Sequence, residues 1–217
     1  NIDLELGWYA SATSGDIDGD GDLDIIVGGG KHVTLFNNGS GTFTVRDYVV
    51  TNLDHIIGVP SLIDINKDGQ LDLIFRTYEE HKLILNDYGV FDHNKAIQID
   101  TPIYFFHDDV SANIVRVDLD VQDRVFYDID NDNDLDIISV SIPHNTDDSP
   151  IGMFYYVQVF TNDNLTFTDN TRELMVDPFS SRYIQWLRLL DYDKDNQIEL
   201  FDNDLFYREW DGNKFNN

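Results

Sequence analysis

Apolar residues in this chain come in short runs, at 23–27, 71–75, 135–140 and 198–201, set between clusters of Asp, Asn and Gly. Runs this short, rich in Ile, Leu and Val and bounded by turn residues, predict strands, and helical periodicity is hard to find. Each run emerges from an acidic nine-residue stretch beginning at residue 16, 64, 128 or 191. Each is followed by a turn that ends on an aromatic, at 37–43, 86–91, 162–167 and 211–215. The chain therefore reads as four copies of one unit: strand A, acidic loop, strand B, turn, strand C, Asn/Gly turn, strand D. Sixteen short antiparallel strands follow, in an all-β domain covering residues 1–217. Its repeats lie at about 7–50, 55–100, 121–176 and 182–217, a spacing typical of repeat architectures.

The units are unequal. From the last loop position to the closing Phe they span 19, 19, 31 and 16 residues, and from each Phe to the next loop 21, 37 and 24. The extra residues lie at 142–152 and within 92–123. In an up-and-down sheet both insertions fall on the edge opposite the acidic loops. Long loops on a rigid scaffold tend to carry function, which makes that edge the expected recognition surface. At the ends, residues 2–6 precede the first strand A and could complete the truncated last sheet, closing a ring. The chain starts at Asn1 rather than Met, consistent with a removed targeting segment or an excised piece.

The acidic loops carry the chemistry. The first has Asp at positions one, three, five and nine, with Gly21 at the sixth, where a tight loop needs left-handed backbone. The other three keep an oxygen-bearing side chain at each of these positions, Gly or Asn at the sixth and an apolar residue at the eighth. Hard oxygen donors crowded in this way suit calcium. The loops hold 17 of the 41 acidic residues in 36 positions, a concentration that a merely solvated surface would not show. One divalent ion in each would reduce the formal charge from −27 to −19, and without metal the carboxylates repel one another.

The net charge disfavours nucleic acid and anionic lipid as partners. Cysteine is absent, which excludes disulfides and thiolate metal sites. No stretch approaches the roughly 20 apolar residues needed to span a membrane.

The loop pattern between two short strands, with an Asn/Gly turn and a Phe downstream, resembles the FG-GAP/VCBS family of calcium-binding propeller repeats and the calcium-bearing blades of integrin alpha-chain propellers. The resemblance covers nearly the whole chain. It implies a β-propeller of four four-stranded antiparallel blades, with a calcium in each A–B loop and up to four ions, in an extracellular, cell-surface or periplasmic setting. The implied side-chain ligands are Asp16, Asp18, Asp20 and Asp24; Asp64, Asn66, Asp68 and Asp72; Asp128, Asp130, Asp132 and Asp136; and Asp191, Asp193, Asp195 and Glu199. Asp22, Gln70, Asp134 and Gln197 would add backbone carbonyls. The chain departs from the family in having four units where related propellers often have seven blades. It also carries Asn133 and Asn196 where Gly is usual, and the longer Glu199 where Asp is usual.

Rival readings fare less well. An EF-hand loop ends in Glu at position twelve and is flanked by helices, whereas this chain has Val27, Phe75, Ser139 and Asp202 there, between strands. The tandem Gly-rich RTX nonapeptide is missing, and a dockerin-like pair would need helices. Plain acidic turns would not require an oxygen ligand at the ninth position, inside a strand. The six histidines, His32, His55, His81, His93, His107 and His144, form no ligand or triad pattern. Trp8, Trp186 and Trp210 read as core before sugar platforms. The sequons at Asn38 and Asn164 fall in turns that Asn and Gly already explain.

The expectation is a non-enzymatic, extracellular calcium-stabilised binding or adhesion module. Its calcium is mainly structural, and its partner is an unknown protein or glycan met on the edge opposite the loops. The alternatives are a fragment of a larger propeller and a carbohydrate-active enzyme, a polysaccharide lyase or hydrolase, using residues such as Tyr104 and His107 on the expanded edge.

Overall fold

The computed structural model describes residues 11–28, 33–47, 57–77, 81–99, 103–106, 114–117, 119–143, 154–203 and 207–216. The chain divides into two compact units, Asn1–Ile99 and Asp100–Asn217.

In the first unit, β1 (Ser11–Gly15), β2 (Asp24–Gly28), β3 (Val33–Asn37) and β4 (Phe43–Asp47) form an antiparallel sheet in chain order. β5 (Ile57–Ile63), β6 (Asp72–Arg76), β7 (His81–Ile84) and β8 (Ile97–Ile99) form a second. The apolar runs are continuous rather than alternating because strand B is covered on both faces: every residue of β6 is buried. Leu73, Phe75 and Ile84 on one face of the second sheet meet Ile26 and Phe36 of the first, with Ile17 and Phe91 completing the cluster. Fully burying a side chain such as Phe75 contributes about 2–3 kcal/mol, so this seam is a main source of the unit's stability. Phe91 does not open strand D as the repeat pattern implies. It makes a single bridge to Asn86, and a 3-10 turn at His93–Lys95 intervenes before β8.

The second unit begins with the hairpin β9 (Ile103–Phe106) and β10 (Ile114–Val117). β11 (Leu119–Tyr127), β12 (Asp136–Pro143), β13 (Tyr155–Asp163) and β14 (Thr166–Asp169) then form the third sheet. A single helical turn, α1 (Thr171–Leu174), leads to β15 (Phe179–Ser180), which pairs with the start of β13 through Tyr155 and Tyr156. The last sheet is β16 (Leu187–Leu190), β17 (Glu199–Asp202), β18 (Tyr207–Trp210) and β19 (Phe215–Asn216). Val140, Val157 and Val159 of the third sheet share a core with Leu187, Leu200 and Phe215 of the fourth.

The chain is thus all-β, with four sheets whose four strands run in the expected A-B-C-D order. The described residues contain nineteen strands rather than sixteen. The first insertion contributes β9 and β10, and β15 lies in the link between the third and fourth sheets. The second insertion lengthens β12 as far as Pro143 and leaves the extended β13 an edge for β15 to cover, which guards an otherwise open edge. Residues 2–6, 107–113 and 144–153 lie outside the described set.

Candidate metal centres

Each acidic loop closes the A–B hairpin of its sheet, and its own side chains fold it. The first-position carboxylate gathers the loop's backbone: Asp16 accepts from the N–H groups of Gly19 (2.9 Å), Asp20 (3.0 Å) and Gly21 (3.0 Å). Asp64 accepts from Asp68 and Gly69 (both 2.9 Å), Asp128 from Asn133 (3.0 Å) and Asp191 from Asn196 (3.2 Å). The fifth-position Asp accepts from the seventh N–H in all four loops, at 2.7–2.9 Å. The sixth residue is left-handed throughout, at φ +93° for Gly21, +90° for Gly69, +77° for Asn133 and +70° for Asn196. Asn tolerates that region better than most residues. The fourth residue is left-handed as well, at Gly19, Lys67, Asn131 and Lys194, although nothing in the residue types required it.

The ninth position is buried in every loop and ties two turns together. Asp24 accepts from Ile17 N–H (3.0 Å) through one oxygen and from Asn37 N–H (2.8 Å) through the other. Asp72 does the same with Ile65 (3.1 Å) and Asn86 (2.9 Å), and Asp136 with Ile129 (2.6 Å) and Asn162 (2.8 Å). One partner lies in the loop and the other at the start of the C–D turn. In the fourth sheet Glu199 keeps the loop bond, to Tyr192 N–H (2.6 Å). Pairing of Glu199 with Glu209 puts Trp210, rather than the Asp211 of the sequence landmark, where Asn37, Asn86 and Asn162 stand. Its N–H bonds the Ile198 carbonyl instead (3.1 Å).

Three loops bring carboxylates together. One oxygen each from Asp16, Asp18 and Asp24, from Asp128, Asp130 and Asp136, and from Asp191, Asp193, Asp195 and Glu199 lie within 4.8 Å of one another. The fourth loop, with its atypical Glu199, assembles all four. Asp20 and Asp132 stand outside these groups, and Asp64, Asp68 and Asp72 form none among the described residues. In that second loop the Asn66 amide donates to Asp68 (2.9 Å).

Within the three groups, Asp18 Oδ1, Asp128 Oδ1 and Asp191 Oδ1 are buried and have no hydrogen-bond partner. A buried carboxylate oxygen without a donor is costly, and a cation among the converging oxygens would satisfy all three. The donor set, carboxylates and backbone carbonyls, fits a hard cation such as calcium. Burial, above all, pushes Asp72 and Asp136 up to about 6, with the charges of Asp68 and Asp64, and of Asp130 and Asp132, adding to it against two backbone N–H bonds each. Asp18 is also raised, by burial and then by Asp20 and Asp24, and Asp130 by burial and by Asp132 and Asp128.

The seventh residues do more than offer carbonyls. Gln70 Oε1 accepts from Tyr88 N–H (2.6 Å) and Asp134 Oδ2 from Asn164 N–H (2.7 Å), so their side chains fasten the C–D turn to the loop. The turn Asn is the other contributor that loop spacing did not show. Its signal was its recurrence at the end of strand C.

His81 is fully buried in β7, and Trp210 packs on Phe215 with ring centroids 5.0 Å apart, as core residues do. Trp186 lies under the Arg188 guanidinium, 5.4 Å from the ring centroid. The side chain of Tyr104, together with His32, His55, His107, His144 and Trp8, falls outside the described residues.

No helix among the described residues is long and apolar enough to cross a membrane. No curated protein matches the chain. Residues 16–75 match the model of the FG-GAP-like repeat, from the first residue of loop one through loop two and into β6. The chain thus carries an FG-GAP-like repeat over these residues, and a loop of the same kind joins the first two strands of each of the four sheets.

Proposed function

We propose that the protein is a calcium-stabilised binding or adhesion module working outside the cytosol, in which the ions brace the blades and take no part in chemistry. The observation that carries this reading is the set of buried, partnerless oxygens on Asp18, Asp128 and Asp191, each within a group of converging carboxylates. The residues that would hold the ions are those named for the four loops. Loops one, three and four are assembled around their carboxylates, while loop two would add the Asn66 carbonyl after its amide turns from Asp68. Oxygen sites of moderate affinity fill at extracellular calcium and stay largely empty at cytosolic levels, which supports the proposed setting.

A binding role is supported by the outer face of the fourth sheet. Leu190, Tyr192 and Tyr207 are exposed there, and the Phe201 ring lies 5.8 Å from Tyr192 and 5.4 Å from Tyr207. Exposed clustered aromatics mark contact surfaces more often than chance. Calorimetric titration with calcium, followed by a glycan array with the loaded protein, tests the reading. Uptake of three or four ions with binding and no turnover of polysaccharide is expected. Absence of calcium uptake would refute the first part, and release of unsaturated or reducing ends would replace the binding module with an enzyme.

A further inference from the structure

We propose that Asn86, which belongs to the second blade, is a positioning residue for the metal site of the first. The inference rests on the calcium reading above and adds to it a residue that lies far outside the loop.

Asn86 is buried, at 4% exposure, and uses three groups at once. Its backbone N–H donates to Asp72 Oδ1, the ninth-position carboxylate of its own loop (2.9 Å). Its side-chain oxygen accepts from Gly89 N–H (2.9 Å) and shapes the turn. Its side-chain amide donates to the carbonyl of Ile17 in the preceding blade (2.7 Å). Ile17 is the second residue of loop one, between the ligands Asp16 and Asp18, and its own N–H donates to Asp24. Both polar groups of the Ile17 peptide backbone are therefore fixed, one by a ligand of its own loop and the other by the next blade.

The same turn also presses on Asp18. A Cβ at Gly89 would lie 3.0 Å from Asp18 Cβ, 3.5 Å from its Cα and 3.4 Å from Phe36. Gly89 is at φ +84°, so it meets both demands, close approach and left-handed backbone. Asp18 carries the partnerless Oδ1. A ligand residue with a partnerless oxygen is thus backed by the blade that follows it.

Among the described residues, the corresponding Asn of the third sheet does not make such a cross-blade bond. Asn162 occupies the equivalent place in the third sheet, and its amide donates to Leu135 of its own sheet (3.1 Å). Loop one is therefore set by blade two, whereas the third-sheet Asn reinforces its own loop. Groups that orient metal ligands without touching the ion typically change affinity 10–100-fold when removed.

The test is calorimetric calcium titration of the full chain as wild type, Asn86→Ala, Asp18→Ala and the double variant. Asn86→Ala is expected to weaken one site about tenfold or more, and Asp18→Ala to delete that same site. With Asp18→Ala in place, Asn86→Ala should have no further effect on the remaining sites, a result that general destabilisation would not give. The proposal is overturned if Asn86→Ala leaves every affinity unchanged, or if it weakens the remaining sites equally in the Asp18→Ala background. Wild type that takes up no calcium would remove the calcium reading itself, and the role of Asn86 with it. Should Asn86→Ala fail to fold, Asn86→Ser carries the same expectation, since it keeps an acceptor for Gly89 but is too short to reach Ile17.

Discussion

Asp136 of loop three and Asp18 of loop one illustrate two kinds of carboxylate. Asp136 is buried and accepts two backbone N–H bonds, from two different turns. Replacing it with Ala leaves both donors unsatisfied, at about 1–3 kcal/mol each. Asp136→Ala is therefore expected to destabilise the protein by about 2–6 kcal/mol in urea unfolding even without calcium. Asp18 ends in a partnerless oxygen and faces other carboxylates. Asp18→Ala should be neutral or mildly stabilising in calcium-free buffer and destabilising only relative to the calcium-loaded wild type. Equal losses for the two variants without metal would contradict this division. The sequence marked both as oxygen donors at regular positions, but it did not separate them, because hydrogen bonding to the C–D turn depends on how strands B and C pair.

Titration of the ninth position gives a second expectation at this scale. Asp72 and Asp136 are pushed up to about 6 from an ordinary 3.8. Between those values the folded chain holds more protons than the unfolded one, so stability falls as pH rises. Protein stripped over a chelating resin should melt at a lower temperature near neutral pH than at about pH 5, with the loss complete above about pH 6. Calcium needs the deprotonated carboxylates, so the stabilisation it gives should grow through the same window. A midpoint in calcium-free buffer that rises over this range would mean that the carboxylates are stabilised as anions.

The element that repeats is the hairpin of strand A, loop and strand B. Its strands were readable from short apolar runs, and its loop from the oxygen spacing and the Gly or Asn at the sixth position. The left-handed sixth residue gives a direct check. Gly69→Ala forces a Cβ into φ +90° and should cost about 1–2 kcal/mol, visible as a lower thermal midpoint with and without calcium. Less legible were the left-handed fourth residues, since Lys67 and Lys194 carry no sign of that conformation. The second sheet's strand D was also displaced, because Phe91 joins the interblade cluster instead of opening a strand. Arithmetic on the repeat pointed to the insertion within 92–123, but not to its content, the hairpin of β9 and β10. β15 covers the edge of β13 through only two pairs, too short a pairing for any periodicity to show.

At the scale of the molecule, four sheets with one loop each create a strongly acidic protein whose charge is concentrated where ions would sit. The fold explains why that concentration is tolerable. Backbone N–H groups satisfy many of the carboxylate oxygens, and three partnerless oxygens in loops one, three and four remain for cations. An ion bound only by the folded state shifts folding toward that state, and several such sites should act together within each compact unit. The measurement that bears most directly on this is the thermal unfolding midpoint of the stripped protein compared with the same protein in millimolar calcium at neutral pH. The midpoint is predicted to rise clearly on adding calcium, and to rise less when Asp18 and Asp191 are both replaced by Ala. Equal midpoints with and without calcium would contradict the account.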